Sequence, residues 1–497
     1  MLIGIRLACV SIEQYIYCSM MHTPLFPAMR AQFSRHRPLE RSLSGLGSCT
    51  LSKLEDRLAP FLRDIPAFAA VSAGRRERPY SIRRTWWCFL WQMLQINTSC
   101  RDVVRQLQAA LALEGRMVDE GTSGYCQARA RLPEALLEQA LRVSAQAAER
   151  RTAPTGFLQG RRLKVLDGSW LILPDTAENQ AQYPQRSDQK PGCGFPMMQL
   201  VVVWSAQGGA VINYEKGDLH QGEMRLLHRL CPTFEPKDII IYDRAAGNYS
   251  ACALLRMQQA DLISRVMIRR INWRKGKRLG PSDRLITWKK QKQRRPYLTL
   301  EEWRQLPTEV PVRVIRARVA QRGFRTRELV LMTTLLDPAA YPRQEIIEAY
   351  LRRWRLEMCL DDLKTTLGLS ALRCLRPATV HRELLAGLIA YNLARAIMAE
   401  TARCHGVSLE RVSFKGTLDA LRNFCIAISQ VDRAAKRRLL WAQMLRILAT
   451  DLVPLRPDRS EPRAVKRRRR HYPLLTWPRH VYWQTRNGRL FRNTSRT

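Results

Sequence analysis

Apolar positions in the first third of the chain recur at helical spacing. Residues 51–59, 83–96, 100–113 and 133–151 each carry that period. Pro60 should stop the first, and Ser99 is a candidate N-cap for the third. Polar pieces join them (Asn97-Thr98-Ser99, Gly121 to Gly124), and residues 127–133 read as a helix end or linker. The pattern changes near 161. Leu163 to Leu166 and Trp170 to Leu173 read as two strands, with the turn signal Asp167-Gly168 between them. Met198 to Trp204 is apolar enough to be buried on both faces. Gly209 to Tyr214 predicts a further edge, and Gly222 to Leu230 a short amphipathic helix. Asp238 to Tyr242 predicts a buried strand ending in Asp243-Arg244, followed by a helix at Tyr249 to Ala260 and a strand at Leu262 to Ile268. Grouped strands followed by alternating strand and helix predict an α/β sheet with helices on its faces.

Residues 270–338 are basic and turn-rich. Alternating runs at Val312 to Val319 and Glu328 to Thr334, joined by a turn at Gly323, predict a β-rich insertion. Helices resume over 343–366 and 380–402, with weaker ones over 408–430 and 433–448. The expected organisation is therefore a poorly defined extension (1–49), a helical domain (50–155) and an α/β domain in two parts (156–269 and 339–405) around the insertion (270–338). C-terminal helices (406–455) and a basic tail (456–497) with the cationic run 466–470 complete it.

Charge narrows the partner. The 497 residues are 46% hydrophobic, enough for a globular core, yet 83 Lys and Arg face 43 acids, a net charge of +40 and a pI near 10.7. Such an excess suits a polyanion, since each cation that neutralises a phosphate releases a counterion. Arg75, Arg76, Arg78, Arg83 and Arg84 gather before Trp86-Trp87, which fits a helical DNA-binding domain. The 13 Cys contain no C-x-x-C pair, so neither a disulfide framework nor a zinc ribbon is expected, and reduced thiols point to the cytoplasm. No apolar run reaches the roughly 18–20 residues of a membrane span. Arg6 and Glu13 interrupt the mildly apolar start, so no signal peptide is expected, and Met20, Met21 and Met29 are alternative starts.

Candidate chemistry lies in Tyr350 to Lys364. Ile347, Leu351, Trp354 and Met358 predict one apolar stripe of a helix. At about 100° per residue, Tyr350, Arg353, Glu357 and Lys364 share a neighbouring face. By itself that face also reads as a solvated surface with an Arg353–Glu357 pair. Asp167 and Asp243 change the weighting. Two Asp at strand ends and a Glu on a packed helix can meet at one sheet edge, and three carboxylates there need cations between them. Two Mg²⁺ ions serve such sites in phosphoryl transfer.

Tyr350-x2-Arg353-x3-Glu357-x6-Lys364 resembles the Tyr-Arg-Glu-Lys signature of the IS-four family of bacterial insertion-sequence transposases. Asp167-Gly168-Ser169 and Asp243-Arg244 resemble its two Asp motifs, and Gly217 to Leu227 and Tyr391 to Arg395 resemble further family segments. The resemblance covers about 50–450. It implies a ribonuclease-H-like core, interrupted by the β-rich insertion, that binds double-stranded DNA at transposon ends, cuts it with Mg²⁺ or Mn²⁺ and joins the 3′-hydroxyls to target DNA. It implies Asp167, Asp243 and Glu357 as metal ligands, Tyr350 and Arg353 as phosphate contacts, and Lys364 as a contact to the strand. Trp288 is the candidate for holding a flipped base. Bridging two ends implies at least a dimer on DNA, in a bacterial nucleoid. Where relatives place Gly or a bulky residue soon after the second Asp, this chain has Arg244-Ala245-Ala246-Gly247. Asp361 shares the Glu357 face and is a competing acid or a partner for Lys364, but only Glu357 satisfies the signature. An inactive DNA-binding relative, or a nuclease on the same core, are the alternatives.

Overall fold

The computed structural model describes residues 79–95, 98–112, 118–152, 157–318, 328–429 and 433–454, with single positions at Leu58, Phe61, Val431, Pro478 and Val481. Most of the expected helix at 51–59, the arginines at 75, 76 and 78, the Gly323 turn and the 466–470 run lie outside them. Four helices come first: α1 (Ile82–Leu94), α2 (Cys100–Ala112), α3 (Ser123–Ala130) and α4 (Glu134–Glu149). Ser99 does cap α2. Its hydroxyl accepts from Asp102 N–H at 3.1 Å while Asp102 accepts from Ser99 N–H at 2.8 Å. The short α3, which buries only Tyr125 and Ala128, was read as connecting chain.

The sheet region runs β1 (Leu163–Ile172), α5 (Ala177–Gln182), β2 (Met197–Ser205), β3 (Val211–Gly217), α6 (Glu223–Leu230), β4 (Ile239–Tyr242), α7 (Tyr249–Met257) and β5 (Asp261–Arg265). It continues through β6 (Lys277–Gly280), β7 (Asp283–Lys289), α8 (Leu300–Gln305), β8 (Glu309–Arg318) and β9 (Glu328–Thr333). Helices α9 (Arg343–Asp361), α10 (Pro377–His405), α11 (Phe414–Ser429) and α12 (Ala434–Thr450) follow, and α9 runs directly into a π-helical turn at Asp362–Thr366.

All nine strands form one mixed sheet, ordered β3-β2-β1-β4-β5-β9-β8-β7-β6. The pairs β1–β4 and β4–β5 are parallel; the rest are antiparallel. Two sequence expectations change here. The two runs at 163–166 and 170–173 are one unbroken strand, paired to β2 from Lys164↔Ser205 to Ile172↔Met197. The Asp167-Gly168 turn signal is overridden because every residue across it finds a ladder partner. The strands after 270 also extend the same sheet, since β9 pairs with β5 at Ile263↔Thr333.

Side-chain alternation divides the core. Val165, Leu171, Ile239, Ile241, Ile263 and Leu331 point to one face, under α1, α4, α9, α10, α11 and α12. Leu166, Val201, Ile240, Tyr242, Leu262 and Met332 point to the other, under α6, α7 and α8. Helices α1 and α4 share the first core with the sheet, since Trp86, Leu137 and Leu141 belong to the same cluster as Ile389 and Leu393, while α1, α2 and α3 also enclose a small cluster of their own at Cys88, Val103, Val104 and Tyr125. Among the described residues no helix is long and apolar enough to cross a membrane.

Candidate active site

Strands β1 and β4 run parallel in the register Val165↔Ile241. Two residues further along stand Asp167, midway along β1 where its parallel pairing with β4 has ended, and Asp243, just past the carboxyl end of β4, the region where α/β sheets place their ligands. By alternation from Val165, Asp167 belongs to the α9 side of the sheet; Asp243 lies one residue beyond the end of β4. Each has one oxygen anchored by backbone. Asp167 Oδ1 accepts from Gly168 N–H at 3.0 Å, and Asp243 Oδ1 accepts from Ala245 N–H at 2.7 Å, capping a 3-10 turn at Arg244–Ala246. Gly247 explains the local departure in sequence after Asp243. A Cβ there would lie 2.4 Å from Arg265 C=O, so only glycine lets the turn press against β5.

Helix α9 crosses this end of the sheet. Its first half buries Ile346, Ile347, Ala349 and Tyr350; its last turn and the π-turn bury Cys359 and Leu363. The buried face therefore swings along the helix, and Met358, expected in the core stripe, is 67% exposed. Glu357 continues the line of Ile346, Tyr350 and Arg353. Arg353 Nη2 meets Glu357 Oε1 at 2.9 Å, with the two side chains 11% and 53% exposed. Tyr350 is buried beneath Arg353, whose Cζ sits 5.6 Å from the ring centroid. Burial pushes the Tyr350 hydroxyl pKa up, and Arg353 opposes the shift by charge and a hydrogen bond.

Electrostatics link these groups. Burial pushes the Asp167 carboxyl up to about 6; Arg353 and the Gly168 amide pull it down, while Glu357 and Asp243 push it further up. Asp167 thus feels the guanidinium and both of the other acids. Within the described residues, Asp167 Oδ2, Asp243 Oδ2 and Glu357 Oε2 have no hydrogen-bond or ion-pair partner, and the buried Arg353 Nε also has none. Free carboxylate oxygens suit hard divalent cations, and an unpaired guanidinium N–H suits a phosphate. Among the described residues no three Asp, Glu, His or Cys close tightly enough to cage a single ion. That fits ions held by one or two carboxylates each, with water and substrate oxygens completing the shell.

The sequence model of the transposase DDE domain matches residues 158–393, from just before β1 into α10. The transposase InsG for insertion sequence element IS4, from Escherichia coli (strain K12), is 25% identical over 450 residues, covering 88% of this chain and 96% of that protein. Both matches support a DDE transposase of the IS4 type. The chain is a DNA-cleaving, strand-transferring enzyme of a family that works with divalent metal ions. A cryo-EM structure of the piggyBac transposase synaptic complex with hairpin DNA overlaps 83% of this chain and 85% of that one at 10% identity, with a TM-score of 0.39, too loose an overlap to align site residues.

The other expected site residues of the transposase fall as follows. Lys364 lies in the π-turn, which winds fewer degrees per residue, so it lags the face that α-helical counting assigned it. Its side chain is partly exposed, and its ammonium has no ion-pair partner among the described residues. Asp361 is exposed and accepts from Thr365 Oγ1 at 2.8 Å; it forms no pair with Lys364. Trp288 is half-buried on β7, opposite Val310, packed on the second core. The Tyr391–Arg395 segment is structural. Asn392 bonds both the N–H and C=O of Val211 at 2.8 Å, Tyr391 donates to Gly209 C=O at 2.9 Å, and Arg395 donates twice to Gly208 C=O, so all three hold the β2–β3 hairpin. Glu223 was not singled out in sequence. It opens α6 beside the site, and its only sequence signal was membership of the Gly217–Leu227 segment.

Proposed function

We propose that Asp167, Asp243 and Glu357 are the catalytic acids of this transposase. In this reading they hold two divalent ions, Mg²⁺ or Mn²⁺, while the protein cuts transposon ends and joins the 3′-hydroxyls to target DNA. The ions, when bound, supply activation of the attacking oxygen and stabilisation of the leaving oxygen in an in-line displacement. The chain supplies placement. Strands β1 and β4 set the two Asp side by side, and α9 brings Glu357 over them. Arg353 offers its unpaired Nε to the scissile phosphate, with Tyr350 beneath fixing its plane. Lys364, without an ion-pair partner in the described chain, contacts the strand beyond.

A ribonuclease-H-like core is supported by the order β3-β2-β1-β4-β5, in which an antiparallel trio is followed by two parallel strands, with the third acid on a later helix. DNA is gripped by the helical region 82–149, where Arg83 is exposed, and by the basic strands β6 and β7, where Lys277, Arg278 and Lys289 are exposed. Trp288 on β7 is the base-stacking candidate, a contact worth about 1–3 kcal/mol per base. Acting on two ends calls for a dimer on DNA, in the bacterial cytoplasm.

The observation that carries this reading is the placement of Asp167 and Asp243 two residues beyond the parallel pair Val165↔Ile241, with α9, which carries Arg353 and Glu357, packed on the same two strands. Glu357→Gln should abolish cleavage of terminal-repeat DNA and leave end binding largely intact. Cleavage by that variant at the wild-type rate would overturn the assignment.

A further inference from the structure

We infer that Glu223 is a fourth carboxylate of the metal site. The inference rests on the reading of Asp167, Asp243 and Glu357 given above. Glu223 lies at the first turn of α6, on the opposite face of the sheet from α9, and Gly168 lets its carboxylate reach β1 at the residue after Asp167. A Cβ on Gly168 would stand 2.4 Å from Glu223 Oε1 and 2.9 Å from its Cδ, so the carboxylate occupies the space a side chain at 168 would fill. On the next strand, Tyr242 Oη donates to Glu223 Oε2 at 3.1 Å, and Tyr242 directly precedes Asp243. Glu223 is thereby held between the residue after one catalytic Asp and the residue before the other.

Its surroundings lack a counter-charge. Glu223 is half-buried and has no Arg, Lys or His partner among the described residues; its Oε1 accepts no hydrogen bond there. Burial and Asp243 both press against its ionised form, with only the Tyr242 hydroxyl favouring it. A half-buried carboxylate next to other acids and away from protein cations is stabilised by a bound cation. Asp243 with Glu223, and Asp167 with Glu357, would give each of two ions a pair of carboxylates, within the small number Mg²⁺ takes from protein. The absence of a side chain at 168 has a function in this arrangement. The Asp167-Gly168 pair is a ligand followed by a window, and it forms no turn.

Mn²⁺ binding by the full chain without DNA, measured by the EPR signal of free Mn²⁺, tests this independently of activity. Glu223→Gln keeps an acceptor for Tyr242 and should weaken binding about tenfold or more. Gly168→Ala meets only the flexible end of Glu223, so the strand should fold with that carboxylate displaced and the same loss of affinity. In a Glu223→Ala background, Gly168→Ala should then add nothing. Asp361→Asn, an exposed acid on α9, should leave binding unchanged. The inference is overturned if Glu223→Gln binds Mn²⁺ like wild type while Asp167→Asn does not, or if Asp361→Asn weakens binding as much as Glu223→Gln. Wild-type binding by Asp167→Asn and Asp243→Asn as well would remove the metal site itself, and Glu223 with it.

Discussion

Arg353 and Glu357 are joined by a 2.9 Å ion pair one turn apart on α9, and the same guanidinium opposes the upward shift of Asp167. Arg353 is therefore a protein cation that acts on both Glu357 and Asp167, and its buried Nε has no hydrogen-bond partner among the described residues. Arg353→Ala should remove the group that lowers the Asp167 pKa. The acid limb of the pH–rate profile for cleavage should move to higher pH, and added Mg²⁺ should move it back down. An unshifted limb would place Arg353 outside the electrostatics of the site.

Asp167 also links stability to pH. Burial raises its folded pKa to about 6, above the ordinary carboxylate value, so the folded state holds this proton more tightly than the unfolded chain. Its contribution is most favourable at low pH and is lost as pH rises from about 4 through about 6. Asp167→Asn should accordingly raise the Tm of the metal-free protein at pH 8, by an amount equivalent to on the order of 2 kcal/mol. The gain should shrink towards zero by pH 4. Thermal denaturation at both pH values, with chelator present, checks the sign.

The strands after 270 reach α9 through a buried ion pair as well as through Arg343 of α9, which donates to Arg316 C=O at 2.6 Å. Arg313, 1% exposed, meets Asp283 at 2.5 Å across β7–β8 and donates to Tyr341 C=O at 2.7 Å, two residues before α9 begins. Asp283→Ala would leave a buried guanidinium uncompensated and should destabilise the protein by about 3–5 kcal/mol. Urea denaturation measures the loss; a change below about 1 kcal/mol would mean that water replaces the carboxylate.

Asn392 completes the β3 edge from α10 by pairing both backbone groups of Val211. Asn392→Leu would strand two buried polar groups, at about 1–3 kcal/mol each. Denaturation should show that cost. Mn²⁺ affinity of the remaining folded protein should stay at the wild-type value, because Val211 pairs with Trp204, two residues along β2 from the Val202 that faces Asp167. A loss of metal affinity in parallel would tie the hairpin to the site.

Much of this arrangement was legible in local pattern. Ile239–Tyr242 reads as a buried strand because all four residues are apolar and must lie between neighbours, and Asp243 then falls at its end. Tyr350, Arg353 and Glu357 share a line because they sit within an unbroken α-helix. Met358 and Lys364 escaped the same reasoning. The packing partner of α9 changes along its length, and the π-turn alters the count after Asp361.

From the sequence alone came the two Asp, the Glu, their order and the helix that carries the third acid, because strand and helix periods are local properties of the chain. Tertiary structure alone decided that Asp167 stands in the middle of a strand, that the residues after 270 extend one continuous sheet, and that Glu223 lies behind Gly168. Each depends on a partner far away in sequence. Val202 takes Asp167 into its ladder, Ile263 pairs with Thr333, and an empty Cβ position admits a carboxylate from the next helix. Local pattern records where a charge can sit; only the packed sheet determines which charges meet.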